Sequence, residues 1–137
     1  MVKIVPDALD VMWPKVQKLI RESVKSSPIT SRLETINDVR NRTYMGDYQL
    51  WCIFKNGEVI AAALTMVTTK TRARILDVVY GAGEGLFEWI EEFYQTLDDE
   101  AVELDCRFLR LEGRADWSST LKKLGFEQAY AAFMKEV

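Results

Sequence analysis

The sequence contains no histidine, and this absence removes several kinds of active site. A Ser-His or Cys-His nucleophile system needs an imidazole base, which this chain does not have. A zinc site built from His is excluded for the same reason, and two cysteines cannot supply the four thiolates of an all-Cys site.

Signals for membranes and nucleic acids are also missing from the sequence. No stretch approaches the roughly 18 consecutive apolar residues of a membrane-spanning helix. The first residues do not follow the basic-then-apolar order of a secretory signal peptide. The net charge is −3 and no basic run is present, so we expect neither a membrane nor nucleic acid among the partners.

Cysteine is scarce, and Cys52 and Cys106 lie far apart, each inside a predicted strand. We therefore expect two buried, free thiols in a reducing compartment, which predicts a cytoplasmic protein. The length of 137 residues and the apolar fraction of 48% predict one domain, residues 1–137, with a well-filled core.

The pattern of apolar residues predicts a mixed α/β chain. The expected elements, in order, are a short strand at 2–5, a helix at 10–25, a helix from 35 that ends before Gly46, strands at 48–54, 59–68 and 73–80, a helix from 86, a strand at 106–111, a short helix at 117–124 and a last strand at 126–135.

Local signals support this order of elements. Thr35 and Asp38 are spaced for a capping box, and Asn56-Gly57 is the strongest short hairpin signal. The strand at 106–111 follows a helix. We therefore expect it to lie parallel to the strand before that helix, through a right-handed crossover.

The most informative stretch runs from Asp77 to Phe87, where an apolar strand meets a run with three of the seven glycines and then an apolar helix. Glycine lets a backbone approach a ligand closely, and the first-turn N–H groups of a helix point at an anion. This order predicts a phosphate cradle. The alternative is that Gly81 and Gly83 only turn the chain, while Glu84 favours the helix N-terminus through its dipole.

Two local motifs carry a resemblance that covers nearly the whole chain. Tyr80-Gly81-Ala82-Gly83-Glu84-Gly85 stands where one family has a Gln/Arg-x-x-Gly-x-Gly/Ala loop, and Leu121-Lys122-Lys123-Leu124-Gly125-Phe126 is similar to its Leu-Gly-Phe signature. In these motifs the chain resembles the GCN5-related N-acetyltransferase (GNAT) superfamily. Gln49-Leu50-Trp51 and Gly113-Arg114-Ala115-Asp116-Trp117 resemble segments of small GNAT-like proteins of tailed bacteriophages.

The resemblance implies a GNAT-like fold: a mostly antiparallel sheet with one parallel, splayed strand pair and helices on both faces. It also implies acetyl-CoA, or another acyl-CoA, as the cofactor, with pantetheine along the strand edge at 77–79 and the pyrophosphate on the glycine loop. The implied cofactor-binding residues are Val78, Val79, Gly81, Ala82, Gly83, Glu84 and Gly85.

Three positions depart from the family pattern. Val78 stands where the family has Gln or Arg, and Glu84 brings a carboxylate into a phosphate cradle. Lys122 occupies the position of a tyrosine that acts as general acid in part of the family. Tyr80 and Tyr130 are alternative sources of that phenol, or each packs its ring and directs its hydroxyl elsewhere.

Asp77 and Glu112 are the candidate catalytic residues. In the family, a carboxylate on the strand that holds Asp77, or on its parallel neighbour, often serves as general base, and an amine nucleophile must lose a proton. Asp77 interrupts an apolar strand, so a buried carboxylate there must pair or shift its pKa upward. The structural alternative is that Asp77 pairs with an arginine across the sheet, either Arg72, Arg74 or Arg110.

Two functions follow as hypotheses. The first is an acyl-CoA-dependent N-acyltransferase that moves an acetyl group from a CoA thioester to an amine acceptor, without a metal. The second is a GNAT fold that has lost its chemistry and serves as a binding or assembly protein of a phage, in the host cytoplasm. Exposed strand edges make a homodimer compatible with either function.

Overall fold

The computed structural model describes residues 1–26, 30–112 and 118–137. Its strands are β1 (Val2–Lys3), β2 (Gln49–Lys55), β3 (Glu58–Thr69), β4 (Arg74–Gly83) and β5 (Phe108–Leu111). Its helices are α1 (Leu9–Val24), α2 (Ile36–Tyr44), α3 (Leu86–Glu103) and α4 (Ser118–Lys123), with single 3-10 turns at Pro6–Ala8 and Thr30–Arg32.

The five strands form one mixed sheet in the order β1-β2-β3-β4-β5. The first three pairings are antiparallel, and only β4 and β5 run parallel, as the crossover through α3 predicts. Asn56 and Gly57 have φ angles of 53° and 78°, the positive values that a type I′ hairpin needs between β2 and β3. The predicted α/β fold class is therefore confirmed.

Helices cover both faces of the sheet, because its central strands alternate their side chains between two cores. Leu50 and Cys52 of β2 point into the core under α1 and α2. Trp51 and Ile53 point into the core under α3 and α4. The apolar stripe of α1 that fills the first core consists of Leu9, Met12, Trp13, Val16, Ile20 and Val24.

The start of α2 is fixed by the predicted capping box. The Thr35 hydroxyl accepts from the Asp38 N–H at 3.1 Å, and the Asp38 carboxylate accepts from the Thr35 N–H at 2.8 Å. Gly46 follows the helix with a φ of 88°, the left-handed conformation expected after a helix end. Together these residues set the path of the chain into β2.

Two of the predicted element positions are wrong. No strand forms within 126–135. The Phe126 N–H donates to the Leu121 carbonyl at the end of α4 and its ring contacts Tyr94, but the residues from 127 onward remain exposed and pair with no strand of the described chain. Phe133, for example, is 93% exposed. The strand predicted from Cys106 begins two residues later, at Phe108, so this thiol lies in the preceding turn.

The two cysteines are both free, but their environments differ. Cys52 is fully buried in β2, and burial raises the pKa of its thiol to about 12. Cys106 is only partly buried, and burial also raises the pKa of its thiol. Among the described residues, no helix combines the length and the apolar character needed to cross a membrane.

The contact between β3 and the end of β4 gives the first testable prediction. A Cβ on Gly83 would lie 2.7 Å from Ala61 Cα and 2.8 Å from the Ile60 carbonyl, whereas a Cβ on Gly81 would keep 3.9 Å from its nearest neighbours. Gly83→Ala should lower the free energy of unfolding by about 1–3 kcal/mol through overpacking. Urea denaturation of Gly83→Ala and of the matched Gly81→Ala variant measures this, and equal losses would show that close packing at Gly83 is not the constraint.

Candidate functional site

The candidate site begins where the parallel pair of strands separates. Residues of β4 and β5 are paired from Ile75 opposite Phe108 to Val78 opposite Leu111, where β5 ends. On its other side, β4 stays paired with β3 as far as Gly83. The edge of β4 from 79 to 83 therefore faces no strand in the described part of the chain. Ligands of open α/β sheets commonly bind in such a crevice, outside the carboxyl ends of the strands.

A β-bulge lies at the same point of β4. Leu64 of β3 pairs with Tyr80, but the next residue, Thr65, pairs with Val78, so Val79 is an extra residue. A bulge bends its strand and increases the local twist, which turns the end of β4 away from β5. The bulge and the end of the parallel pairing together create the opening.

The open edge of β4 carries backbone donors. The N–H of Glu84 donates to the carbonyl of Ile60 on β3 at 3.0 Å. Because hydrogen bonds along an antiparallel strand alternate between its two edges, the N–H of Gly83 points to the open edge. The N–H of Gly81 already donates to the Ser23 hydroxyl of α1 at 3.0 Å. One of the two glycine donors at this edge is therefore occupied within the fold.

The helix that follows adds further donors at its first turn. Gly85 is the N-cap of α3 with a φ of 67°, and no side chain of the described residues caps the free N–H groups. The carbonyl of Glu84 accepts from the Trp89 indole at 2.7 Å, which ties the turn to the helix. Glu88 lies in the first turn and pairs with Lys55 at 3.2 Å. The Glu84 residue itself is exposed, so its carboxylate is hydrated near this cradle.

The predicted cofactor loop differs from the observed backbone in two respects. The segment from Gly81 to Gly83 is strand rather than turn, because glycine lets it lie close against β3 at Gly83. β5 pairs along Asp77 and Val78, so the open edge of β4 begins at Val79, two residues after the start of the edge predicted for pantetheine. The Val78 side chain is buried in the core under α3.

Asp77 is held by an arginine, as the structural alternative predicts. It is 7% exposed, and its carboxylate accepts two hydrogen bonds from Arg110, one from Nε and one from Nη2 at 2.9 Å. Thr68 donates a third hydrogen bond at 2.5 Å. The hydrogen bond to Asp77 raises the pKa of Arg110 above its ordinary value, so the guanidinium stays charged. Both carboxylate oxygens of Asp77 are thus engaged within the fold.

Glu112 is the freer of the two predicted carboxylates. It follows the last residue of β5, is exposed, and accepts one hydrogen bond from the Tyr130 hydroxyl at 3.1 Å. Burial, and then the bond to Glu112, raises the pKa of the Tyr130 phenol, which therefore remains a donor at neutral pH. Glu112 is thus a solvent-accessible carboxylate at the carboxyl end of the parallel pair.

The structure also shows a polar network that the sequence analysis missed. Glu34 Oε1 accepts hydrogen bonds from the Tyr48 and Tyr80 hydroxyls at 2.7 and 2.8 Å. Arg42 Nη1 lies 3.3 Å from Glu34 Oε2 and 2.6 Å from the Tyr48 hydroxyl. The network joins the segment before α2 to β4 at Tyr80, the residue after the bulge.

The two phenols of this network are neutral donors. Burial is the main cause that raises the pKa of Tyr48 and of Tyr80 well above the ordinary value, and the bond to Glu34 adds to it. Tyr80 is visible in the sequence as a candidate, but Glu34 is not. It precedes the cap Thr35 in a segment without periodicity, so only the tertiary fold brings it to the site.

The bulge also explains why these groups share one face of the sheet. Asp77 pairs with Met66 and Tyr80 pairs with Leu64, and these two partners lie on the same side of β3. Residues three apart in a regular strand would point to opposite faces. The extra residue Val79 therefore turns Tyr80 to the face of Asp77, toward α1 and α2.

The remaining candidates contribute less to this site. Lys122, which the sequence aligns with a tyrosine of the GNAT motif, is exposed on α4. The predicted Gly-Arg-x-x-Trp segment, 113–117, lies outside the described residues, and so do Arg114 and Trp117.

Comparison with known proteins supports the fold rather than a particular activity. Neither a family model nor a curated protein sequence matches the chain. A GNAT family acetyltransferase of Staphylococcus aureus is 13% identical with a TM-score of 0.67, over 99% of this chain and 96% of that structure. Glucosamine-6-phosphate N-acetyltransferase of Arabidopsis thaliana is 14% identical with a TM-score of 0.66, over 98% and 95%.

One similar structure has a different description. A transcriptional regulator of Bacillus halodurans C-125 is 11% identical with a TM-score of 0.68, over 99% of this chain and 97% of that structure. Its overlap with this chain is as extensive as that of the acetyltransferases, so the shared fold does not decide the activity. The chain has the fold of the GNAT acetyltransferases.

Proposed function

We propose that this protein is an acyl-CoA-dependent N-acyltransferase that transfers an acetyl group to an amine. The observation that carries the proposal is the open edge of β4 from Val79 to Gly83, next to the uncapped start of α3. A strand edge supplies the alternating donors and acceptors that an extended amide chain needs. A helix N-terminus supplies donors for an anion.

These groups fit the two parts of a CoA thioester. The edge from Val79 would hold the amide-bearing pantetheine, and the N–H groups of Gly83 and Gly85, with the first turn of α3, would hold the pyrophosphate. Lys55 offsets the charge of Glu88 beside this turn, while Glu84 stays hydrated. When bound, the thioester supplies an activated acyl group, so the protein needs no nucleophile of its own.

The catalytic assignment follows from how each carboxylate is engaged. Glu112 is the proposed general base, directly or through a water, because it is exposed and makes one hydrogen bond. Asp77 is the proposed positioning residue, because its ion pair with Arg110 neutralises its charge and fixes β4 against β5 near the end of their pairing. Tyr80 donates its single O–H to Glu34, so its phenol oxygen would offer the site a hydrogen-bond acceptor rather than a proton.

One alternative is supported by the structure. The chain would be a GNAT fold that has lost its chemistry and binds a partner, in a phage assembly role. Gly81 already donates to Ser23, and Val78 is buried where the family has a polar side chain. Both features reduce the donors that a cofactor would meet, and the transcriptional regulator shows that this fold occurs under other descriptions.

Two weaker proposals concern the setting of the protein. The free thiols of Cys52 and Cys106 support a cytoplasmic location. The outer edge of β5 has no strand partner among the described residues, and the exposed side chains of Phe133 and Met134 lie in the segment that follows α4. A homodimer that covers these groups would be consistent with both observations.

Cofactor binding can be tested by thermal stability. Acetyl-CoA at 100 times its dissociation constant should add about 2.7 kcal/mol to the free energy of unfolding. Glu84→Gln should tighten binding about twofold to fivefold, because it removes a negative charge beside the phosphates. Glu103→Gln, at the other end of α3, is the matched control and should leave the affinity for acetyl-CoA unchanged. Absence of any stabilisation by acetyl-CoA would leave only the non-enzymatic alternative.

The two predicted carboxylates should behave differently when neutralised. Glu112→Gln should lower kcat/KM about 100-fold or more, with unchanged thermal stability, because it removes only the base. Glu127→Gln, an exposed control, should keep full activity. Asp77→Asn should lower the free energy of unfolding by about 2 kcal/mol, since the charged bonds to Arg110 are lost.

The assay for these variants measures release of the CoA thiol with a panel of primary amines that includes glucosamine 6-phosphate, and unfolding is followed in urea. An active Glu112→Gln enzyme would remove Glu112 from the mechanism. An Asp77→Asn variant with normal stability and no activity would assign the base to Asp77 instead.

A further inference from the structure

A second concave surface lies at the opposite end of the sheet, where the parallel strands begin. It is a depression of about 600 Å³ lined by residues 70–74 and 105–107. The Lys70 N–H donates to the Ala73 carbonyl, and the Arg107 N–H donates to the Arg74 carbonyl, both at 2.9 Å. The first bond closes the turn at 70–73, and the second joins the two loops, so the depression is a built feature of the fold. We call it the basic depression.

The basic depression is strongly positive in a chain of net charge −3. Its lining contains four cations and one carboxylate, a local charge of +3: Lys70, Arg72, Arg74, Arg107 and Asp105. In the described part of the chain, none of these four cations forms an ion pair with a carboxylate. The Arg107 guanidinium is placed over the Phe108 ring at 5.3 Å, which leaves its N–H groups available.

Arg74 shows most clearly that an acceptor is missing. Its Nε atom is buried and has no hydrogen-bond partner among the described residues. Burying a donor without an acceptor costs about 1–3 kcal/mol, so native structures rarely leave one unpaired. Arg74 also lines the basic depression, so its positive charge contributes there although the Nε atom itself is not exposed.

The nearby carboxylates do not neutralise the depression. Asp77 and Glu100 both act on the thiol of Cys106 beside Arg74 and contribute to its raised pKa, after burial. Asp77 is occupied by Arg110, and Glu100 is occupied by Lys3. Their charges are therefore compensated by other cations, and the excess positive charge of the lining remains.

We propose that the basic depression binds a small ligand that carries at least two phosphate groups. Three of the four cations are arginines, whose planar guanidinium groups match phosphate oxygens bidentately. The volume suits a ligand between pyrophosphate and a nucleotide in size. The concave shape and the small number of cations favour such a ligand over the backbone of a nucleic acid. This site is distinct from the open edge of β4, and the proposal does not depend on acyl transfer.

Calorimetric titration with inorganic pyrophosphate tests the proposal. The wild-type protein should bind one pyrophosphate, and Arg72→Gln/Arg107→Gln should weaken binding by at least about tenfold, because charged hydrogen bonds are lost. Both side chains are exposed, so this variant should fold normally. Lys15→Gln/Arg40→Gln makes the same change in net charge at exposed positions of α1 and α2, and should bind like the wild type. Arg74→Gln removes the guanidinium with the buried Nε donor, and the same titration measures its effect on pyrophosphate binding.

The other outcomes show where pyrophosphate binds or refute the proposed site. No saturable binding by the wild type, or equal binding by Arg72→Gln/Arg107→Gln, would refute the site. Tighter binding by Glu84→Gln together with unchanged binding by Arg72→Gln/Arg107→Gln would place pyrophosphate at the start of α3 and also refute it. A single-stranded 12-mer DNA that outcompetes pyrophosphate would replace the proposal with a nucleic-acid contact. Unchanged binding by Glu84→Gln supports the basic depression and leaves the proposed acyltransferase activity untouched.

Discussion

The extra residue at Val79 is the constraint on which the site depends. It bends β4 where the pairing of Val78 with Leu111 ends, so one strand serves two purposes along its length. Up to Val78 it is a buried strand of a mixed sheet. Beyond Val79 it is a strand edge open to a ligand. The same residue turns Tyr80 to the face of Asp77, which gathers the polar groups of the site under α1 and α2.

Three carboxylates on this side of the molecule differ because their partners differ. Asp77 is buried under a bidentate guanidinium and therefore holds the sheet together. Glu34 accepts two phenol hydroxyls and orients Tyr80. Glu112 is exposed and, among the described residues, accepts one hydrogen bond, from Tyr130. In the proposed function, Asp77 positions the parallel strands, Glu34 orients Tyr80 and Glu112 accepts the proton. The amino ends of the same parallel strands carry the opposite charge, in the basic depression.

The fold was predictable because its signals are local. Each element is indicated by a short stretch of sequence. These stretches include the helix caps, the Asn56-Gly57 hairpin, the alternating strands and the apolar helix between the parallel strands. The site was predictable only in part. The glycine before α3, Gly85, and the pairing of Asp77 with an arginine were predictable from the sequence. The bulge at Val79 was not, because it leaves no local signal. The contact of Glu34 with Tyr80 was not predictable either, because 46 residues separate the two. The prediction of a last strand at 126–135 was wrong because alternating apolar residues indicate a possible strand but do not provide a neighbouring strand to pair with.

The proposed function requires that the edge of β4 beyond the bulge holds a CoA thioester. Amide spectra of ¹⁵N-labelled protein, recorded during titration with acetyl-CoA, show whether it does. We expect saturable shifts of the Val79, Gly83 and Gly85 amides, while the hairpin amides of Asn56 and Gly57 stay in place. Shifts confined to the basic depression, or no shifts along β4 at concentrations that saturate binding, would refute this binding mode.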